Sequence, residues 1–523
     1  MTNTASTFTQ TNTFTGTSTK AAVTAPLFET DAYKLGHRGL YPAGTTQVLV
    51  NFTNRASRID GVDKVVHFGL QAFLQSYCIE AFAPFFAADE DDAVNAYLDT
   101  LTGVLGPNHG IDAEHVRALH RRGYLPLMFR ALPEGTLVPL RVPSITVENT
   151  EPEFFWLPNY IETVLSAAIW QPSTSATIAN EFRTILDDAA ARTGGDTAFV
   201  NWQLHDFSFR GMAGAAAAAA SGAGHLLSFT GSDSLATIDW VRRYYPSEFG
   251  TDNGQVLGSI PATEHSVMCA GISESSELET FKRILDVHTN GNVSIVADTF
   301  DFWNVLLEIL PALKSQIMAR DGKVVIRPDS GDPADILCGT RSSPSIAHDK
   351  KPATIAEDPA YFGAVQILWE LAGGTVNDAG YKVVDGHFGL IYGDSITMDR
   401  ARDITERLEA LGFAAGNVVF GVGSYTYQYV TRDTFSSAIK ATWAMIDGEE
   451  HNLLKDPVTD SGMKKSATGR LAVTRDKGGE LVLIEKATAQ EEADSLLEPV
   501  WADGRFLRTQ SFNDVRAVLG NLR

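Results

Sequence analysis

Lys323-Val-Val-Ile-Arg-Pro-Asp-Ser-Gly331 carries an apolar triplet directly into an arginine, an acid, a hydroxyl and two turn-forming residues. Val324, Val325 and Ile326 suit a short buried strand, and Pro328 and Gly331 end it. A strand that stops in Arg327, Asp329 and Ser330 leaves a guanidinium fork and oxygen ligands at its C-terminal end. That set fits a phosphate or carboxylate, with the acid placed for ribose hydroxyls or hydrated Mg²⁺. A strand-ending turn with a structural Arg–Asp pair is the alternative.

The same rhythm extends in both directions. Apolar runs at 199–204, 226–229, 293–297, 390–392 and 418–420 each end in polar residues. These are His205-Asp206, Thr230-Gly231-Ser232-Asp233, Asp298, Gly393-Asp394 and Gly421. Helical patterns at 302–320 and 398–411 lie between them, and the alanine-rich 213–220 reads as a close-packed helix. Buried strands alternating with helices, with polar residues at the strands' C-terminal ends, predict an α/β fold, an irregular β/α barrel. An open doubly wound sheet would give a similar pattern.

Upstream, 48–52 and 135–147 read as strands, and 154–170 as a largely buried helix. Near the C-terminus, 471–474 and 480–485 flank Asp476-Lys477-Gly478-Gly479 as a β-hairpin. Residues 1–25 read as a flexible tail, and 339–359 as a surface insertion.

Composition narrows the function. A net charge of −22 over 523 residues argues against nucleic-acid or anionic-membrane partners. Anionic substrates stay open, because a few site arginines can outweigh an acidic surface screened within roughly 8 Å. Three separated cysteines suggest neither a disulfide framework nor a zinc site. With no apolar run near the ~20 residues of a membrane span and no signal-peptide pattern, a reducing cytoplasm is expected.

Three further clusters could carry chemistry. Gly421-Val422-Gly423-Ser424 offers backbone N–H groups for a phosphate, although GxGS is common in turns. Glu264-His265-Ser266 could supply a histidine nucleophile or acid/base, with a structural histidine as the plain reading. Asp233, Asp298 and Asp394 arrive in register at successive strand ends and suggest a cation-using pocket. GxSxG and GxxxxGK[ST] are absent, so acyl transfer and P-loop chemistry lose ground.

Together these segments resemble the nicotinamide phosphoribosyltransferases of the type II phosphoribosyltransferase family. The matching stretches include Asp31-Ala-Tyr-Lys34, Val147-Glu-Asn-Thr150, Ile161-Glu-Thr163, Leu204-His-Asp-Phe207, Arg210-Gly211 and Gly231-Ser-Asp233. They continue, in the family's order, through Pro261-Ala-Thr-Glu-His-Ser266, Arg327-Pro-Asp-Ser-Gly331, Gly393-Asp394, Thr431-Arg-Asp433 and Lys455-Asp-Pro457. The resemblance implies a barrel at 151–424 and a β-rich domain built from 26–150 and 425–523. It also implies a homodimer with shared active sites. The implied reaction joins nicotinamide to phosphoribosyl pyrophosphate, giving nicotinamide mononucleotide and pyrophosphate for NAD salvage. Mg²⁺ would be the cofactor, and ATP a coupling co-substrate acting through a phosphohistidine.

Site roles follow from the same resemblance. Phe207, and Tyr33 of a second subunit, would sandwich the pyridine ring, and Asp233 would accept from the carboxamide. Arg210 and Arg327 would hold phosphate and pyrophosphate oxygens, and Asp329 and Ser330 would lie by the ribose. Gly393 and Asp394 would sit near the sugar, and Gly423, Ser424 and Arg432 would close on the 5′-phosphate. Asp31 and Asp298 would complete the acidic wall, with Asp298 and Asp329 the candidates for Mg²⁺. His265 would be the phosphorylated residue, its ring oriented by Glu264, and Glu264, Lys440 and Lys455 would serve ATP. Ser424 and Tyr425 stand where the family has further glycines, and Ala438 where it has serine. A nicotinate phosphoribosyltransferase, an inactive nucleotide-binding relative and a barrel glycosidase are the alternatives.

Overall fold

The computed structural model describes residues 23–246, 256–393, 395–459 and 464–521. Most of the expected tail and Asp394 lie outside these residues. Six parallel strands lie in the order Gly231–Ser232, Leu204–Asp206, Val418–Val422, Phe388–Tyr392, Val324–Arg327 and Val293–Val296. Neither edge is left open. Gly258 bridges to Gly231 at one edge, and Ala262 bridges to Ser294 at the other. Backbone bonds Ser232 N–H to Gly258 O (3.0 Å) and Ser294 N–H to Pro261 O (2.9 Å) seal both seams. The segment from Gly258 to Ala262 thus closes the sheet into an irregular β/α barrel, so every strand's C-terminal end faces one mouth.

Two expected strands differ. Leu226 to Phe229 finish the helix Ala215–His225 and its turn, and the strand is the two-residue Gly231–Ser232. Phe199–Trp202 is a 3-10 turn, and His205 and Asp206 lie within the strand rather than after it. The helix read at 154–170 is the short Leu157–Tyr160 followed by Glu162–Thr193. Its middle, 171–177, is polar yet buried, which breaks the apolar pattern there. Ser173 Oγ donates to Phe68 O (2.8 Å), Thr177 Oγ1 to Ser173 O (2.7 Å), and Ser175 meets Ser221 Oγ at 2.8 Å. The alanine-rich helix packs there at short range: a Cβ on Gly224 would lie 2.6 Å from Pro172 O.

A seven-stranded sheet interleaves both ends of the chain. Its order is Glu449–Asn452, Ser437–Ile446, Thr45–Asn54, Pro143–Asn149, Leu127–Ala131, Glu498–Ala502 and Arg505–Phe506. Leu471–Arg475 pairs with Leu481–Glu485 as the expected hairpin. The 344–351 stretch of the expected insertion is exposed. No described helix is long and apolar enough to cross a membrane.

Three buried histidines set an acid limit on the fold. Burial, reinforced by the Arg508 charge, pushes His67 down to about 3. Burial and Arg38 push His115 to about 4, and burial pushes His225 to about 4. His225 lies 2.7 Å from Tyr427 Oη through Nδ1 and 2.9 Å from Gly231 O through Nε2. A neutral ring with its proton on Nε2 satisfies both partners. All three folded values lie below the ordinary histidine value, so the unfolded chain binds more protons. Their stabilisation is complete above about pH 6.5 and is lost as pH falls towards 4, at about 1.4 kcal/mol per unit per group. The melting midpoint should therefore hold between pH 8.5 and 7.5 and drop clearly by pH 5; a flat profile to pH 5 would contradict this.

Candidate active site

A cavity of about 420 Å³ runs through the barrel. Phe207, Asp233 and Arg327 line it at the C-terminal ends of the strands, and Lys323 and Asn417 precede the strands that line its other end. Phe207 follows its strand, and its N–H donates to Val422 O (2.8 Å). Its ring lies over Gly421, where a Cβ would come within 2.8 Å of the ring and 2.7 Å of Gly393 Cα. Glycine at 421 is what lets the ring and the neighbouring strand end approach so closely.

Asp233 receives two donors on one oxygen. His205 Nε2 lies 3.0 Å from Oδ1, and Ser259 Oγ donates to the same atom. Burial works against the charge, and the His205 and Ser259 bonds with the Arg327 charge outweigh it, holding the carboxyl below its ordinary value. The His205 ring sits 4.6 Å from that of Phe207, and the Arg327 guanidinium carbon lies 6.0 Å from the Phe207 ring. An aromatic face, an anion and a cation therefore line one mouth.

Arg327 donates to Thr263 O through Nη2 (3.0 Å), and its Nε lies 3.5 Å from Asp329 Oδ2. Asp298 holds the loop that follows. Its Oδ2 accepts from the Asp329 N–H (2.9 Å) and from Ser330 Oγ (2.6 Å). His265 opens the helix His265–Glu274, is half exposed, and places Nε2 3.9 Å from Asp298 Oδ1. Glu264 does not orient this ring; it accepts from Ser266 Oγ, and Asp298 is the acid facing His265. The Arg210-Gly211 turn touches Ser424, because a Cβ on Gly211 would overlap its hydroxyl at 2.2 Å. Gly393 abuts Asp329, 2.6 Å from its Oδ1 by the same measure. Arg432 pairs with Asp433 at 3.2 Å.

The other expected site residues gather elsewhere. Tyr33 is 66% exposed, donates to Asp31 Oδ2 (3.1 Å), and contacts His37 rather than Phe207. Thr163 Oγ1 also donates to Asp31, and this bond leads the lowering of its carboxyl. Lys440 lies in a second cavity, of about 260 Å³, with Arg55, Arg141 and Lys465, none of which the sequence reading singled out. Burial pushes the Lys440 ammonium below its ordinary value, with the Glu162 carboxylate 3.6 Å away opposing the shift. Lys455 is exposed beside this cavity: its N–H donates to Ser466 Oγ (3.0 Å), Ser466 lines the cavity, and the Lys455 charge acts on Lys440, whereas Glu264 precedes His265 at the barrel mouth.

No cluster of three or more His, Cys, Asp or Glu that would cage a metal exists among the described residues. Asp298 Oδ1 is nevertheless buried without a hydrogen-bond partner beside the Asp329 loop. Hard carboxylate oxygens in that small number suit Mg²⁺, which keeps several waters and leans on substrate phosphates.

Sequence comparison places this geometry. The model of the nicotinamide phosphoribosyltransferase N-terminal domain matches residues 25–82, and that of the nicotinate phosphoribosyltransferase (NAPRTase) family matches 202–504. The chain is 48% identical over 507 residues to nicotinamide phosphoribosyltransferase of Acinetobacter baylyi, covering 94% of this chain and 97% of that one. The chain belongs to the nicotinamide phosphoribosyltransferase family. The family's enzyme from Mycoplasma pneumoniae is 36% identical, covering 85% of this chain and 94% of its own. The crystal structure of nicotinate-nucleotide pyrophosphorylase from Pyrococcus furiosus shares the fold, at TM-score 0.53 and 14% identity over 95% of both chains. Within this family member, His205 and Ser259 are mouth residues to which the sequence reading gave no role. Strand parity was the available signal: His205 and Phe207, two apart, point to one side, while Asp206 points to the other.

Proposed function

We propose that the protein transfers the phosphoribosyl group of phosphoribosyl pyrophosphate to nicotinamide, forming nicotinamide mononucleotide and pyrophosphate in NAD salvage. The supporting observation is the Asp233 carboxylate, held through Oδ1 beside the Phe207 ring. A carboxamide N–H₂ finds an acceptor there, whereas the nicotinate carboxylate would meet a like charge at contact. Phe207 stacks the pyridine ring. Its nitrogen lone pair forms the bond to ribose C1, and the departing pyrophosphate takes the electrons of the C1–O bond.

Positive charge grows on the ribose as that bond opens. Asp329 stabilises it, while Arg327 and Arg210 receive the negative charge on the leaving group. Mg²⁺, held by Asp298 and Asp329 through water, would neutralise pyrophosphate charge when bound. Gly423 and Ser424 receive the 5′-phosphate with Arg432, and Gly393 lies by the sugar. Tyr33, 66% exposed and away from Phe207 within its own chain, would complete the mouth of a second copy together with Asp31 in a homodimer with shared sites. Such a chain would act in the cytoplasm.

His265 is the proposed phosphoryl acceptor in ATP coupling, with Asp298 stabilising the charged ring. His265→Ala should abolish ATP stimulation and leave ATP-independent synthesis within about threefold; persisting stimulation would overturn the assignment. The parent reaction is tested by chromatography of products from purified protein, Mg²⁺, phosphoribosyl pyrophosphate and nicotinamide. Nicotinamide mononucleotide is the expected product, and absence of any nucleotide would overturn the proposal.

A further inference from the structure

We infer that His205 and Ser259 are positioning residues that set base specificity by locking the rotation of the Asp233 carboxylate. The inference rests on the nicotinamide reading of the site. Both donors converge on Oδ1, His205 Nε2 from the adjacent strand at 3.0 Å and Ser259 Oγ from the segment that closes the barrel. Among the described residues no side-chain partner engages Oδ2, which leaves that oxygen for the cavity. A carboxylate held by one oxygen presents the other at a fixed point, and an amide hydrogen bond depends steeply on that placement. An unheld carboxylate would divide its time among rotamers and would also turn towards Arg327, whose charge already acts on it.

The two donors reach Asp233 independently. His205 packs against Phe207, so its loss alone could act through the stacking ring. Ser259 comes from a different segment and tests the carboxylate contact separately. Because Asp233 accepts, His205 must carry a proton on Nε2. Gln retains an N–H donor at similar reach, and Leu removes it.

The test is steady-state kinetics on the full-length protein with nicotinamide and with nicotinate, for wild type, His205→Leu, His205→Gln and Ser259→Ala. His205→Leu should raise KM for nicotinamide about tenfold or more with kcat within about threefold, and narrow the preference over nicotinate by a similar factor. His205→Gln should recover most of the loss, and Ser259→Ala should raise KM about threefold to tenfold. The inference is overturned if wild type is active and both Ser259→Ala and His205→Leu leave KM and base preference unchanged. It is equally overturned if losses fall on kcat alone without rescue by Gln. A wild-type enzyme that makes no nicotinamide mononucleotide instead removes the underlying reading, and the inference with it.

Discussion

Arg327→Ala should lower kcat/KM for phosphoribosyl pyrophosphate by about a thousandfold while leaving the melting midpoint close to wild type. Arg327 ends its strand at the mouth, anchored by Thr263 O and flanked by Asp329, with its side chain 13% exposed. A guanidinium held this way reorganises little when charge develops on the departing pyrophosphate. Removing one such fixed donor costs on the order of 10²–10³ in rate in comparable sites. The variant also leaves Asp329 without its neighbouring cation, which adds ground-state repulsion towards an anionic substrate. Arg327→Lys should recover no more than about tenfold, since a point charge does not reproduce the fork. Steady-state kinetics with melting curves on the same preparations separate this from a folding defect. A loss below tenfold with a normal fold would contradict the role.

Asp233→Asn should invert the base preference. His205 and Ser259 both donate to the oxygen at Oδ1, so the asparagine will place its carbonyl there and turn its N–H₂ towards the cavity. The group that accepted from an amide then donates. Nicotinamide meets N–H against N–H, and nicotinate gains a hydrogen bond and loses a like-charge contact. The ratio of kcat/KM values should shift by about a thousandfold towards nicotinate, a difference of about 4 kcal/mol. Asp233→Ala should lose nicotinamide activity without that gain. An unchanged ratio in Asp233→Asn would refute the selectivity argument.

How much of this was legible in the sequence depends on range. Runs such as Val324–Arg327 announce themselves, because β-branched residues bounded by turn formers have few other homes. Leu226 to Phe229 carries the same apolar signal and is a helix end, since a short run lacks the length to show its period. Closure by Gly258 to Ala262 left no local trace: single bridges at two residues need no strand pattern, and Pro261 reads as a turn. Polar burial at 171–177 broke the apolar pattern of Glu162–Thr193, the longest described helix, for the opposite reason.

The site followed the same rule. Asp233, Arg327 and Asp329 were visible as strand-end residues of the right chemistry, and Phe207 only through the family resemblance. The His205–Asp233 bond was not, because it joins residues 28 apart through the register that sets His205 opposite Gly231. The partner of His265 was likewise misplaced. Chain adjacency favoured Glu264, but the start of the helix turns His265 towards Asp298 across the mouth. Arg55, Arg141 and Lys465 come from separate stretches, so their shared cavity exists only after folding.

The most direct test of the central claim is a competition. Purified protein would receive equimolar nicotinamide and nicotinate with limiting phosphoribosyl pyrophosphate and Mg²⁺, and the two mononucleotides would be separated and quantified. Asp233, held by His205 and Ser259, predicts nicotinamide mononucleotide in excess by about a hundredfold or more. Nicotinate mononucleotide in equal or greater amount would contradict it.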